Sequence, residues 1–211
     1  MILPMKENRH TLHLCRDDHY IFLFHEVITM KKNDARVRYT QHALKEAFLS
    51  ILKEKPVNKI TVKEVCELAE LNRATFYAHY SDCYDLLESI ELELLQEFES
   101  SLKLVQSFDV TSLIEAIYAM IEKPDEVCQI LVFHGRSPSL LRQMIDLARE
   151  SSIQSWKKEL SHATGDDLEM LYTHLSTGLM NVVVNGYGKY KRKDIIRFVN
   201  SMVSSSLSVF Q

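Results

Sequence analysis

The chain has 211 residues, 46% of them apolar, and a formal net charge of −4. That is ordinary for a soluble globular protein of one large or two small domains. No stretch reaches the ~20 apolar residues that span a bilayer. The opening "MILPMKENRH" lacks the apolar run and cleavage site of a signal peptide. Cys15, Cys66, Cys83 and Cys128 are scattered without a CxxC pair, which points to free thiols in a reducing cytoplasm. With only 5 Gly and 4 Pro and little alternation of apolar and polar residues, the expected fold is all-α.

In chain order, residues 1–29 show no helical periodicity and no cap. "YIFLFHEVI" reads at most as a stray strand. Residues 1–35 are expected to be an N-terminal extension, disordered or misannotated before Met30. Of these, 1–29 are expected to be dispensable, an upstream region translated through a misassigned start codon, with Met30 and a short basic arm leading into the first helix. The competing reading is an extension that packs on the body or binds a metal through its histidines. A helix over 39–55 then places Ala43, Ala47, Phe48, Ile51 and Leu52 on one face and stops near Pro56. "TVKEVCELAE" opens with a capping box between Thr61 and Glu64. Asn72 is placed to cap a short helix through Tyr80. Ser81 or Asp82 caps a longer one carrying Leu87, Ile90, Leu94 and Phe98. Further helices are expected over 112–122 and from Pro124 to Gly135. Another runs from a Ser137 cap with Pro138 in its first turn to about His162, followed by 167–185 and 194–209. The division falls at 36–85 for a small front domain and 86–211 for a larger helical one.

The charge is divided too. Residues 31–83 hold ten Lys/Arg against seven Asp/Glu, whereas 84–211 hold twelve against eighteen. A modestly basic block precedes an acidic remainder, as expected of a local phosphate-facing surface.

"LNRATFYAHYSDCYDLL" (71–87) packs aromatics, a histidine and an arginine into about two helical turns, too short for a core helix. Three helices with a turn at Glu70–Asn72 have the layout of a helix-turn-helix, whose second member lies in the major groove and needs little core of its own. Arg73, Thr75, Tyr77 and His79 supply hydrogen-bond donors. Ala74 is small enough for close approach, and Phe76 and Tyr80 anchor the opposite face.

"ITVKEVCELAELNRATFYAHYSDCYDLL" resembles the DNA-binding signature of the tetracycline-repressor (TetR) family of bacterial transcription regulators, from about Arg38 to Leu87. The resemblance implies an N-terminal three-helix helix-turn-helix domain and a larger helical ligand-binding and dimerisation domain. It implies a homodimer on a palindromic double-stranded operator, released by a small molecule, hence a cytoplasmic repressor rather than an enzyme, with no cofactor. Carried over by position, Thr61 and Lys63 touch phosphate. Arg73, Ala74 and Thr75 face the bases, and Tyr77 and His79 bond the DNA backbone. Two positions depart from the family pattern: Glu70 where Gly is frequent, and Cys83 where Lys usually meets a phosphate. Arg36 and Arg38 are expected to compensate from ahead of the first helix. The rival reading is a helical binding protein or enzyme whose front bundle has lost DNA binding.

In the back domain Tyr118, Phe133, His134, Met144, Trp156 and Tyr172 are the candidate ligand-lining residues. The helices 167–185 and 194–209 are apolar on more than one face: Leu171, Leu175, Leu179, Val182, Val183, Ile195, Phe198, Val199, Met202 and Val203. A helix apolar over that breadth is buried within the chain or by a partner. The resemblance implies that this pair forms a four-helix bundle with its symmetry mate, so a two-fold dimer is expected there. Two patterns are read as decoys. Tyr187 and Lys191 have the YxxxK spacing of short-chain dehydrogenases without the Gly-rich dinucleotide turn that chemistry needs. His10, His13, Cys15, Asp17 and His19 lack metal-site spacing, so no metal is expected.

Overall fold

The computed structural model describes the backbone of residues 16–103 and 109–210, with side chains from residue 35 onward. Among these residues there are only helices: α1 (Arg16–Glu54), a 3₁₀ turn (Val57–Lys59), α2 (Val62–Leu68), α3 (Arg73–Tyr77), α4 (Cys83–Leu102), α5 (Val110–Ile121), a π-helical segment (Gln129–Phe133), α6 (Leu140–Glu159), α7 (Gly165–Gly186) and α8 (Arg192–Leu207). The chain forms two compact units, Met1–Leu44 and Lys45–Gln211.

The first unit contains the N-terminal part of α1. The helix begins at Arg16, well before the start expected near Tyr39. The expectation about residues 1–29 falls on residues outside the described ones up to Cys15, and on backbone alone from Arg16 onward. The histidine-rich "HTLHLCRDDH" lies in the same region. Arg36 and Arg38 are exposed on α1.

The second unit holds every other element. In its front part Ala47, Phe48, Leu49 and Leu52 of α1 are buried, as are Val65 and Cys66 of α2, Phe76 of α3 and Tyr80 after it. Along α4, Leu86, Leu87, Ile90, Leu94 and Phe98 recur at helical spacing and are buried. Helix α4 also packs on α5 and α6, α6 packs on α7, and α8 packs on α5 and α7. The boundary expected at residues 85/86 therefore falls inside one continuous helix. Each fully buried Leu, Ile or Phe contributes about 1.5–3 kcal/mol over exposure, and Ile114, Leu131, Leu140 and Leu168 are among the fully buried ones.

Three local expectations are corrected. Ser137 does not cap α6; the helix starts at Leu140, the Ser137 N–H donates to the Leu131 carbonyl at 3.0 Å, and its buried hydroxyl has no partner. The segment from Pro124 to Gly135 is not an ordinary helix but widens into the π-helical stretch, followed by Gly135 at φ +63°. Gly165 does not separate two helices but begins α7, because Thr164 and Asp167 form a second capping box there.

On the two C-terminal helices much of the apolar breadth is covered within the chain itself. Leu171, Leu175, Leu179, Val183, Ile195, Val199 and Val203 are buried within this single chain, and Val182 is half-buried. Packing among α5–α8 accounts for most of their breadth. The large apolar side chains left outside on these helices are Met170, Phe198 and Met202.

Candidate nucleic-acid interface and ligand cavity

The front of the second unit is built by short-range caps. The Thr61 hydroxyl accepts from the Glu64 N–H at 3.3 Å, and the Glu64 carboxylate accepts from the Thr61 N–H at 2.9 Å. Lys55 Nζ reaches the same carboxylate at 2.5 Å. That hydrogen bond, followed by those from Thr61, holds Glu64 at about 2, far below its ordinary 4.5.

Helix α2 ends in a Schellman motif. The Leu71 N–H donates to the Cys66 carbonyl at 2.9 Å and the Glu70 N–H to the Glu67 carbonyl at 3.4 Å. Glu70 sits at the left-handed position of that motif, at φ +55°. Glycine would suit this position, because the backbone there is left-handed, a conformation that costs an L side chain about 1–2 kcal/mol. The Asn72 side chain then caps α3, accepting from the Thr75 N–H at 2.7 Å and its hydroxyl at 3.0 Å.

Helix α3 has two sides. Phe76 is fully buried, edge-on to Tyr77 at 5.7 Å and tilted against Tyr80 at 5.8 Å. Arg73, Ala74 and Tyr77 are exposed, Tyr77 to 58%, whereas Thr75 and His79 are half-buried. Arg73 makes no ion pair among the described residues. Lys63 is exposed on α2 and shares its charge with Glu67 at 3.6 Å. In the free chain the Thr61 and Thr75 hydroxyls donate to Glu64 and Asn72, so each must turn from that partner to donate to DNA. Asp82 caps α4, accepting from the Tyr84 and Asp85 N–H groups. Cys83 follows, 5% exposed, and burial pushes its thiol up to about 11. It supplies neither a cation nor a thiolate.

The six candidate ligand residues separate. Met144, Trp156 and Tyr172 line one cavity of about 600 Å³ enclosed by α4–α8, within the size range of small-molecule sites, about 300–1,000 Å³. Trp156 and Tyr172 lie with ring centroids 5.7 Å apart, and the Tyr172 hydroxyl donates to the Ile145 carbonyl. Tyr118 and Phe133 instead flank Tyr187, at 5.6 and 5.1 Å, with the Arg192 guanidinium 4.3 Å over the Tyr118 ring. The buried Tyr118 hydroxyl has no partner. His134 is exposed at the end of the π-helical segment. Phe98, Leu113, Leu175 and Leu179, which also line the cavity, were read from the sequence only as core or interface residues, or not singled out.

The cavity does not stand far from the front helices in the chain of contacts. Arg136, ahead of α6, donates to the Lys53 carbonyl at the C-terminal end of α1 at 2.6 Å, and Lys53 pairs with Glu126. Helices α4 and α6, which wall the cavity, pack directly on one another.

An exposed, N-capped helix of donors and small residues behind a tight turn makes this an all-α helix-turn-helix protein. More particularly, the fold is that of the TetR-family transcriptional regulators. A TetR transcriptional regulator from Streptococcus agalactiae 2603V superposes with a TM-score of 0.63 at 22% identity, over 82% of this chain and 98% of that one. The fatty acid degradation regulator FadR from Bacillus halodurans gives 0.57 at 14%, over 78% and 94%. The dihydroxyacetone kinase operon activator DhaS gives 0.56 at 12%, over 82% and 98%. In sequence, the chain is 35% identical over 91 residues to an uncharacterized HTH-type transcriptional regulator, YxbF, of Bacillus subtilis strain 168. That match covers 43% of this chain and 24% of the relative, so the chain spans about a quarter of its length. No protein-family model matches the chain. No helix among the described residues is long and apolar enough to cross a membrane.

Proposed function

We propose that this chain is a sequence-specific DNA-binding transcriptional regulator, acting in the cytoplasm as a homodimer on a palindromic operator. The observation that carries the reading is the two-sided α3: Phe76 is fully buried while Arg73, Ala74 and Tyr77 stand in solvent beside the Asn72 cap. Arg73 and Ala74, with Thr75, read base edges. Thr61, Lys63, Tyr77 and His79 position the helix on phosphates, with Arg36 and Arg38 adding backbone contacts. The front domain is residues 36–85 and the back domain 86–211. Two copies associate through Phe198 and Met202 of α8 and Met170 of α7, whose apolar surfaces are exposed in the single chain.

A small molecule in the cavity shifts the population between forms with different half-site spacing, and so releases the operator. The sign proposed is repression. Catalysis is not part of the proposal.

The test is a gel shift of DNA upstream of the gene, at about 50 and 200 mM salt, with unrelated DNA as competitor. Specific retention that weakens with salt supports the reading. Absence of retention at either salt contradicts it and favours a front bundle without DNA function, a reading that the uncharged, buried Cys83 would then explain. Reporter output with and without the chain fixes the sign of regulation.

A further inference from the structure

The walls of the α4–α8 cavity limit what can occupy it. Their area is dominated by apolar groups such as Phe98, Leu175 and Leu179, and their polar groups are mostly engaged already. Glu99 pairs with Lys103 at 3.0 Å. The Asp109 carboxylate caps α5, accepting from the Ser112 N–H at 3.0 Å. Glu150 accepts from Gln154 at 3.1 Å. The Tyr172 hydroxyl donates to the Ile145 carbonyl, the Ser176 hydroxyl to the Tyr172 carbonyl and the Ser151 hydroxyl to the Ala148 carbonyl.

Charge counting then decides between ligand classes. Among the described residues the lining holds three carboxylates, Glu99, Asp109 and Glu150, and one cation, Lys103, which pairs with Glu99. Arg149 lies over the Tyr172 ring at 5.6 Å but is held by Glu169 at 2.7 Å and does not line the space. Lys103 and Glu99 stay largely in solvent, at 69% and 47% side-chain exposure, so water screens them. An anion drawn past them into the apolar interior would lose its hydration and find no free cation among the described lining residues. A cation would find only carboxylates that already have partners. Among the described residues the wall's remaining unpartnered hydroxyls are those of Ser152 and Ser155, half-buried and three apart on α6, hence on one face.

We propose that the cavity selects an uncharged, largely apolar molecule with one hydroxyl or carbonyl group, held against Trp156 and Tyr172 and hydrogen-bonded by Ser152 or Ser155, and that it discriminates against carboxylates. The proposal deepens the regulator reading by naming the chemical class of its effector, and rests on it only for that word. The binding claim concerns the cavity itself.

Trp156 is the only tryptophan of the chain, so its fluorescence reports occupancy without a label. The experiment titrates the full chain with three ten-carbon probes: 1-decanol, decanoate and decyltrimethylammonium. Trp156 emission and thermal stability are read in parallel, since a ligand of the folded state raises the melting temperature whatever it does to emission. Decanol is expected to bind at least tenfold more tightly than decanoate, with the ammonium between them. Replacing both hydroxyls, Ser152→Ala with Ser155→Ala, is expected to weaken decanol about three- to tenfold, the range set by one lost hydrogen bond. It should leave the melting temperature of the unliganded protein unchanged. Decanoate or the ammonium binding as tightly as decanol overturns the proposal, as does failure of all three to alter either readout. A gel shift on the same preparation separates the two readings. Decanol binding without DNA retention leaves this inference standing and sinks the regulator, whereas DNA retention without decanol binding does the reverse.

Discussion

Glu70 gives the most quantitative test of how the helix-turn-helix is built. Its backbone is left-handed, at φ +55°, because it occupies the turn position of the Schellman motif that ends α2. An L side chain there costs about 1–2 kcal/mol relative to a right-handed conformation. Glycine removes that cost but gains freedom in the unfolded chain, which takes back about 0.4–1 kcal/mol. The Glu70 side chain is exposed and has no hydrogen bond or ion pair among the described residues, so truncation loses little else. The net expectation for Glu70→Gly is a gain of about 0.5–1 kcal/mol. For a chain of this size that raises the melting temperature by about 1–4 °C. Glu70→Asn, whose short side chain tolerates the left-handed region, should gain part of this. Glu70→Ala keeps its Cβ and should gain none. Calorimetry or urea titration of the four proteins reads the order Gly, Asn, then Ala with the parent. If Ala gains as much as Gly, removal of the carboxylate explains the effect and the left-handed turn does not.

Acid sensitivity should be concentrated at Glu64. Its carboxyl is held at about 2 against an ordinary 4.5, so its ionised form is favoured by folding. The stability it contributes is complete above pH 4.5 and is lost as pH falls toward 2. Glu64→Gln keeps the capping-box geometry and should flatten the stability profile across that window, as read by denaturant midpoints in a pH series. For assembly, Phe198 is 51% exposed on α8. Phe198→Lys should shift the protein from dimer to monomer in light scattering at micromolar concentration without lowering helicity, and an unchanged mass would place the interface elsewhere. Truncation to Met30 removes about the first four turns of α1, from Arg16 to Thr29, and the expectation that residues 1–29 are dispensable predicts unchanged thermal stability and operator affinity.

The front of the fold was legible because its determinants act over four residues or fewer. The Thr61–Glu64 box and the Asn72 cap are side chains satisfying the nearest orphan N–H groups, whereas the sequence left Ser81 and Asp82 open and only the fold shows Asp82 as the cap of α4. The Schellman turn was flagged by a departure from pattern at Glu70, yet its geometry was not readable, since a glutamate carries no signal of a left-handed backbone. The start of α6 was misread for a related reason: Ser-Pro fits a helix start and a loop equally well, and the Leu131 carbonyl that claims the Ser137 N–H comes from another segment. The backward reach of α1 to Arg16 had no periodic apolar face to announce it.

The cavity was half legible. Periodicity places aromatic residues on helices but not which helices meet. Met144, Trp156 and Tyr172 converge because α6 packs on α7. Tyr118 and Phe133 find Tyr187 instead, a residue noticed only in a decoy motif. Likewise the apolar breadth of α7 and α8 did not reveal whether neighbours in the same chain or in a partner would cover it.

The central claim, that α3 is a DNA-reading helix, is tested most directly by competition anisotropy on a labelled operator fragment, comparing the parent with Arg73→Ala, Tyr77→Phe and His79→Ala. All three side chains lie outside the fully buried core, so the variants should remain folded. Tyr77→Phe and His79→Ala are expected to weaken binding to operator and unrelated DNA alike, as lost phosphate contacts do, whereas Arg73→Ala should lose operator preference by about 1–3 kcal/mol. Operator affinity and preference unchanged in all three folded variants would contradict the account.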